Sequence, residues 1–100
     1  MKIDWNSLSF FEQMDHIGSE VKRCCDTRND FLNGRSDEDF SDFYFKKVQS
    51  LIEMTLNDPK NVNRSKELLD ELNELHLMLT GVYDADYIMR YWNQFTNAVA

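Results

Sequence analysis

The chain has 100 residues, of which 42% are hydrophobic and 29% are charged, and its formal net charge is −7. This length corresponds to one domain, with enough apolar side chains for one modest core. Because binding to phosphate groups requires clustered positive charge, an acidic chain disfavours contact with nucleic acid or with anionic membrane surfaces. Three glycines and one proline are too few for an all-β chain of many turns.

The cysteine content and the hydropathy pattern predict a cytoplasmic protein. Cys24 and Cys25 are adjacent, and neighbouring cysteines rarely bridge each other, so no disulfide framework is expected. The sequence shows no apolar leader and no apolar run near the ~20 residues that a membrane span needs. Reduced thiols in a cytoplasmic compartment agree with both observations.

Helical periodicity and capping residues predict an all-α fold, a four-helix antiparallel bundle with short loops, as a single domain over residues 1–100. Residues 1–9 are predicted to form an N-terminal arm that carries Ile3, Trp5 and Leu8.

The helix boundaries follow from local start and stop signals. For the first helix, Ser9 and Glu12 form a capping-box pattern and Asn33-Gly34 is a stop signal, which predicts a helix over 10–32. For the second, Ser36 is the predicted cap of a helix from 37 to about 56, because three acidic residues follow it in the first turn.

Two more helices follow. Asp58-Pro59 predicts the start of the third helix, which continues to about residue 80 and stops at Gly81. Asp84 is the predicted cap of the fourth helix, which runs to about residue 97.

Three of these helices show a single apolar stripe, and each stripe is predicted to face the core. In the first helix the stripe comprises Phe10, Met14, Ile17, Val21, Cys24, Cys25, Phe31 and Leu32. In the third it comprises Leu68, Leu69, Leu72, Leu75 and Leu79, beside Val62. In the fourth it comprises Tyr87, Ile88, Tyr91, Trp92, Phe95 and Val99.

The second helix has two apolar stripes, and the second of them predicts self-association. The main stripe comprises Phe40, Phe43, Tyr44, Val48, Leu51 and Met54. The displaced stripe comprises Phe45, Ile52 and Leu56, and Leu77 and Met78 of the third helix could extend it. If neighbouring helices cover the main stripe, the displaced one remains as a patch that a homodimer or another protein partner would bury. The alternative is that the N-terminal arm folds over it.

Few residues suggest chemistry. Glu12, His16 and Glu20 share one helical face at metal-ligand spacing, but that face lies opposite the apolar stripe, so we expect them exposed and without metal. His76 lies at the edge of an apolar stripe, and no nucleophile is placed near it by local spacing. Cys24 lies within a stripe, as does Cys25, where thiols usually act as small apolar groups.

Two cations fall at core-facing positions. Arg28 and Lys47 each lie in the centre of an apolar stripe, where a cation must snorkel outwards or meet a carboxylate. We therefore expect snorkelling or a structural ion pair at each position, with contact to a ligand or partner as the alternative. Gly18, beside the stripe of the first helix, suggests the close approach of another helix.

Two segments carry a resemblance to known proteins. Residues 5–21 read W-x-x-L-S-F-F-E-Q-M-x-x-I-G-S-E-V, and residues 51–60 read L-I-E-M-T-L-N-D-P-K. Both segments resemble a group of short, uncharacterised bacterial and archaeal helical proteins. The resemblance implies a common fold and supplies no activity.

The expected function is protein–protein contact by a non-enzymatic helical module that acts as a homo-oligomer. Two alternatives stay open, a small hydrolase or nuclease-like enzyme with a site between helices and a metal-binding bundle. No cofactor is predicted.

Overall fold

The computed structural model describes the backbone of residues 4–99 and the side chains of residues 4–96. Two of the residues named above, Ile3 and the side chain of Val99, lie outside these ranges. A 3-10 turn, Trp5–Ser7, precedes four helices, and a second turn, Pro59–Asn61, follows the second helix. The helices are α1 Phe10–Leu32, α2 Ser41–Leu56, α3 Ser65–Leu79 and α4 Ala85–Val99. No strand occurs over residues 4–99, and the all-α prediction is confirmed.

The first helix begins and ends where the sequence predicts. The Ser9 hydroxyl accepts a hydrogen bond from the Glu12 N–H, and the Glu12 carboxylate accepts one from the Ser9 N–H, each at 3.1 Å. These two bonds are the predicted capping box. After the helix, Gly34 has a φ of 74°, a left-handed conformation that glycine adopts without steric cost.

The second helix begins later than predicted. Ser36 accepts a bond from the Glu38 N–H at 3.3 Å within the connection, and the helix starts at Ser41. The backbone N–H of Ser41, at the helix start, donates a hydrogen bond to the Asp39 carboxylate at 2.9 Å, so Asp39 and not Ser36 lies at the start of α2. Because Asp39 also binds Arg28, a long-range contact determines which of several acidic residues lies at the helix start.

The third helix also begins later, since Pro59 opens a short 3-10 turn and not the helix itself. Asp58 accepts the Lys60 N–H at 3.2 Å, as a cap residue should, but the turn ends at Asn61. The third helix itself begins at Ser65 and ends at Leu79. Gly81 follows it with a φ of 87°. In α4, the predicted cap Asp84 accepts the N–H of Tyr87 at 2.8 Å.

Contacts between helix ends define the antiparallel arrangement. Arg28, near the end of α1, contacts Asp39 just before α2, and it also donates to the Leu79 carbonyl at the end of α3. At the opposite end, Thr96 of α4 donates to Asp15, near the start of α1, at 3.3 Å. Hence α1 and α3 run in one direction and α2 and α4 in the other. This is the predicted four-helix bundle, in which α1 packs against both α2 and α4.

The core contains most of the predicted stripe residues. The fully buried apolar side chains include Met14, Ile17, Val21, Val48, Leu68, Leu75, Ile88 and Trp92. Several others at the ends and edges of the stripes are exposed instead, because the bundle does not extend over them: Phe31, Leu32, Val62, Leu69 and Tyr87. Gly18 is buried against Trp92, which confirms the close approach of α4 to α1.

The displaced stripe of α2 lies inside the protein. Ile52 is 1% exposed and Met78 is 5% exposed, while Phe45, Leu56 and Leu77 are partly covered. The prediction that these residues form an exposed patch is therefore wrong. The physical reason is that α3 packs against α2, with the His76 ring 6.0 Å from that of Phe45, and the turn containing Trp5 contacts the end of α2 at Thr55.

A buried polar network attaches the N-terminal arm to the bundle. The indole N–H of Trp5 donates to the Thr55 hydroxyl at 2.9 Å, and the Trp5 carbonyl accepts from the Gln13 amide at 2.9 Å. The same amide nitrogen of Gln13 donates to Asp58, and its oxygen accepts from Asn61. Because these buried groups have partners, the network orients the arm without unpaired polar atoms at these positions.

Candidate interaction surface

Three large side chains of the main α2 stripe are exposed, contrary to expectation. Phe40 is 50% exposed, Phe43 54% and Met54 45%, and they lie on one side of α2 together with Lys47 and Ser50. We call these five residues the outer face of α2. The opposite side of the helix is the one that packs into the core, through Ser41, Val48, Ile52 and Thr55. Exposed aromatic and methionine side chains on one side of a helix are typical of an interaction site.

Lys47 lies on this outer face and not in the core, which corrects the prediction that its position faces the core. Its ammonium is 5.0 Å from the ring centroid of Phe43 and 5.7 Å from that of Tyr44. These are cation–π distances, and they hold the aliphatic stem of the lysine along the aromatic rings. The cation therefore lies on the exposed side of α2.

Two open depressions adjoin the outer face. One, of about 450 Å³, has a mainly apolar lining of Glu20, Phe43, Lys46, Lys47, Ser50 and Leu51. The other, of about 390 Å³, is lined by Phe40, Phe43 and Tyr44. Phe43 contributes to both, so the face combines protruding aromatic side chains with adjacent hollows.

Glu20 lines the larger depression, and its burial corrects the prediction that it is fully exposed. Its side chain is 15% exposed, because α1 turns this position towards α2. One carboxylate oxygen accepts from Arg23 at 2.5 Å. The other oxygen is buried and has no hydrogen-bond partner among the described side chains. The depression thus has one acidic wall and two lysines.

Arg28 forms the structural ion pair that the sequence suggested as one possibility. One guanidinium nitrogen is 2.6 Å from Asp39, and another donates to the Leu79 carbonyl at 3.1 Å. Burial alone would raise the pKa of Asp39, but hydrogen bonds from Ser41 and Arg28 bring it below its usual range. The N–H of Phe40 meanwhile donates to Thr27 at 3.2 Å. These bonds fix the connection that carries the first aromatic ring of the outer face.

The three residues at metal-ligand spacing in the sequence, Glu12, His16 and Glu20, do not form one site. Glu12 bonds to the backbone of Ser9, and this bond lowers the pKa of its carboxyl. His16 is exposed, with its ring 5.9 Å from that of Trp5. Among the described residues, no group of three or more histidine, cysteine or acidic side chains could hold a metal ion.

The remaining candidates have structural environments. His76 is exposed, and its ring lies 6.0 Å from that of Phe45. Cys24 and Cys25 are buried free thiols, and burial raises the pKa of each to about 12. A thiol with so high a pKa is not a reactive nucleophile at neutral pH. The prediction that both cysteines pack in the core is confirmed.

A row of carboxylates on α3 faces tyrosines of α4. Tyr91 donates to Glu67, and Tyr87 donates to Glu74 at 3.1 Å. Between these two glutamates lies Glu71, which has one buried oxygen with no partner among the described side chains. Burial, then repulsion by Glu74, raises the pKa of Glu71 to about 8. At neutral pH this carboxyl is mainly protonated, and its chemistry is that of a neutral hydrogen-bonding group.

Sequence reasoning missed the exposed face of α2 and the row of carboxylates on α3, although each leaves a signal in the sequence. On α2, positions 40, 43, 47, 50 and 54 follow the alternating spacing of three and four residues that marks a helix–helix seam. On α3, Glu67, Glu71 and Glu74 share one face. The first signal could have been recognised from the sequence, whereas the second needs the knowledge that α4 packs there.

None of the helices within residues 4–99 has the length and hydropathy that a membrane span requires.

In comparisons with known proteins, the chain matches no family model, no curated protein and no solved structure. The resemblance of residues 5–21 and 51–60 to a group of helical proteins therefore stays a prediction.

Proposed function

We propose that this protein is a non-enzymatic helical module that works through protein–protein contact at the outer face of α2, as a homo-oligomer. The observation that carries this proposal is the half-exposure of Phe40, Phe43 and Met54 on one side of a regular helix. Aromatic and methionine side chains are enriched at protein interfaces, and exposed apolar side chains on one side of a helix favour association. The surface differs from the one expected from the sequence, but it belongs to the same helix.

Aromatic anchors beside hollows supply the geometry that such a contact needs. Interfaces obtain most of their affinity from a few large side chains that fill pockets on the partner. Here Phe43 and Phe40 protrude, and the depressions beside them can receive side chains from another molecule. A two-fold dimer uses one surface on both sides, so a face with both protrusions and hollows suits it.

The test is the solution mass of the wild-type protein and of two matched variants. Phe43→Glu places a charge on the outer face, whereas Leu69→Glu places one on α3 at a side chain of similar exposure, 51% against 54%. We expect an oligomer for the wild type and for Leu69→Glu, and a monomer for Phe43→Glu, by sedimentation or light scattering at micromolar concentrations. A monomeric wild type, or an oligomer that Phe43→Glu leaves intact, would contradict the proposal.

A further inference from the structure

The outer face of α2 has the spacing of a helix–helix seam. Phe40, Phe43, Lys47, Ser50 and Met54 follow one another at intervals of three, four, three and four residues. In the heptad notation of paired helices, the first, third and fifth of these are a positions and the other two are d positions. All five side chains are exposed. The occupant with the matching shape is another α-helix that lies along α2.

We propose that the occupant is the α2 helix of a second copy of this chain, in antiparallel orientation. This inference rests on the proposed function. A parallel pair would place Lys47 opposite the partner's Lys47 in the middle of the seam, where like charges repel each other. An antiparallel pair instead places a positions opposite d positions and separates the two lysines.

One antiparallel register fits the part of the outer face that lies within α2, whereas Phe40, just before the helix, faces the partner's Asn57, just beyond the end of the partner's helix. This register places Lys47 opposite the partner's Ser50 and Phe43 opposite the partner's Met54, with the two-fold axis between residues 48 and 49. The polar residues then share the centre of the interface, and Phe43 and Met54 pair on each side of it. A central lysine at an a position selects a register at some loss of stability, which agrees with this arrangement.

The residues that flank the seam supply charge complementarity in the same register. Lys46 and Glu53 are both exposed and precede a positions of successive heptads, so Lys46 approaches the partner's Glu53. The two-fold symmetry repeats this pair. On the other flank, half-buried Tyr44 approaches the partner's Leu51, which adds an apolar contact. In a parallel pair Lys46 would meet the partner's Leu51 instead, and this complementarity would be absent.

Cysteine cross-linking tests the orientation. Lys47→Cys and Ser50→Cys chains of different size are mixed and mildly oxidised. The antiparallel register joins a Lys47→Cys chain to a Ser50→Cys chain, since these positions face each other. The native thiols do not compete, because Cys24 and Cys25 are 0% and 1% exposed. A disulfide between two Lys47→Cys chains as the main product, or none between the mixed chains, would overturn the antiparallel register.

Charge reversal tests the register with the fold intact. Lys46→Glu and Glu53→Lys, both at exposed positions, should each weaken the dimer roughly tenfold, because two like-charge pairs replace two attractive ones. Mixing the two variants should restore wild-type affinity, since each reversed charge then faces one of opposite sign. No recovery in the mixture would overturn the register while leaving the proposed function standing, provided that Phe43→Glu still abolishes the dimer. If the wild type itself is monomeric, the proposed function fails.

Discussion

At the scale of single residues, Glu71 links the stability of the fold to pH. Its pKa in the folded protein is about 8, whereas an unperturbed glutamate has a pKa of about 4.3. Because folding raises this pKa, the protonated carboxyl gives a stabilising contribution that is fully present below the unfolded value. The contribution is lost progressively as the pH rises from about 4 to about 8. Burial is the main cause of the raised pKa of Glu71. The negative charges of Glu74, Glu67 and Asp70, which lie close to it, raise this pKa further.

Replacing Glu71 by glutamine should remove this dependence. The amide resembles the protonated carboxyl, so Glu71→Gln should change the free energy of unfolding little near pH 4. Near pH 9 the substitution should increase the free energy of unfolding by about 2 kcal/mol. This value is smaller than the full linkage value, because the side chain is only half-buried and solvent screens its charge. Urea unfolding across this pH range measures the difference, with exposed Glu38→Gln as the control. Equal stabilisation at both ends of the range would contradict the assignment.

Gly18 offers a second test at a single residue. A Cβ atom at this position would lie 3.5 Å from the Trp92 ring, which is an ordinary van der Waals contact. Since glycine within a helix costs about 1 kcal/mol relative to alanine, Gly18→Ala should stabilise the protein by up to that amount. Gly18→Leu should destabilise it, because the larger side chain would displace Trp92. Thermal unfolding compares the two, and destabilisation by alanine would show that the helices are closer than described.

At the scale of secondary structure, the sequence predicts those features that depend on neighbouring residues. Both ends of α1 and the cap of α4 were predicted correctly, because each depends on bonds within a few residues. The starts of α2 and α3 were placed too early. Asp39 binds Arg28 of another helix, and Asn61 binds Gln13, so these boundaries depend on residues distant in the chain.

The orientation of α2 about its own axis could not be predicted for a related reason. Its apolar residues cover more than half of the circumference, and periodicity alone leaves open which part faces the core. The packing of the other helices decides this, since it buries Ile52 and leaves Phe43 exposed. The sequence therefore predicts an exposed patch on a side of α2 that the structure shows to be largely covered.

The Arg28–Asp39 ion pair should stabilise the folded protein, because it attaches the start of α2 to the end of α1. Both side chains are mostly covered, at 26% and 19% exposure, and the guanidinium also binds a carbonyl. Arg28→Ala should therefore lower the free energy of unfolding by about 1–3 kcal/mol. The control is Arg35→Ala, which breaks an exposed pair with Asp30 and should cost less than about 1 kcal/mol. Urea unfolding measures both, and equal effects would mean that Arg28 has no special structural role.

At the scale of the whole molecule, the two sides of α2 differ in burial, and charged substitutions should separate their effects. Ile52 is fully buried, so Ile52→Glu places an unpaired carboxylate in the core and should unfold the protein. Phe43 is 54% exposed, so Phe43→Glu should retain the helical content of the wild type. Circular dichroism distinguishes the two outcomes. A folded Ile52→Glu protein would show that the side of α2 assigned to the core is wrong.

Self-association should also appear in the thermal stability of the wild type. A partner that binds only the folded state raises the unfolding midpoint by mass action, so the midpoint should increase with protein concentration. Phe43→Glu removes the interface, and its midpoint should be independent of concentration over the same range, from about 5 to about 200 µM. Leu69→Glu should keep the dependence of the wild type, because its charge lies away from the outer face. A wild-type midpoint that is constant over this range would contradict the dimer, because the folded state would then gain no stability from a second copy.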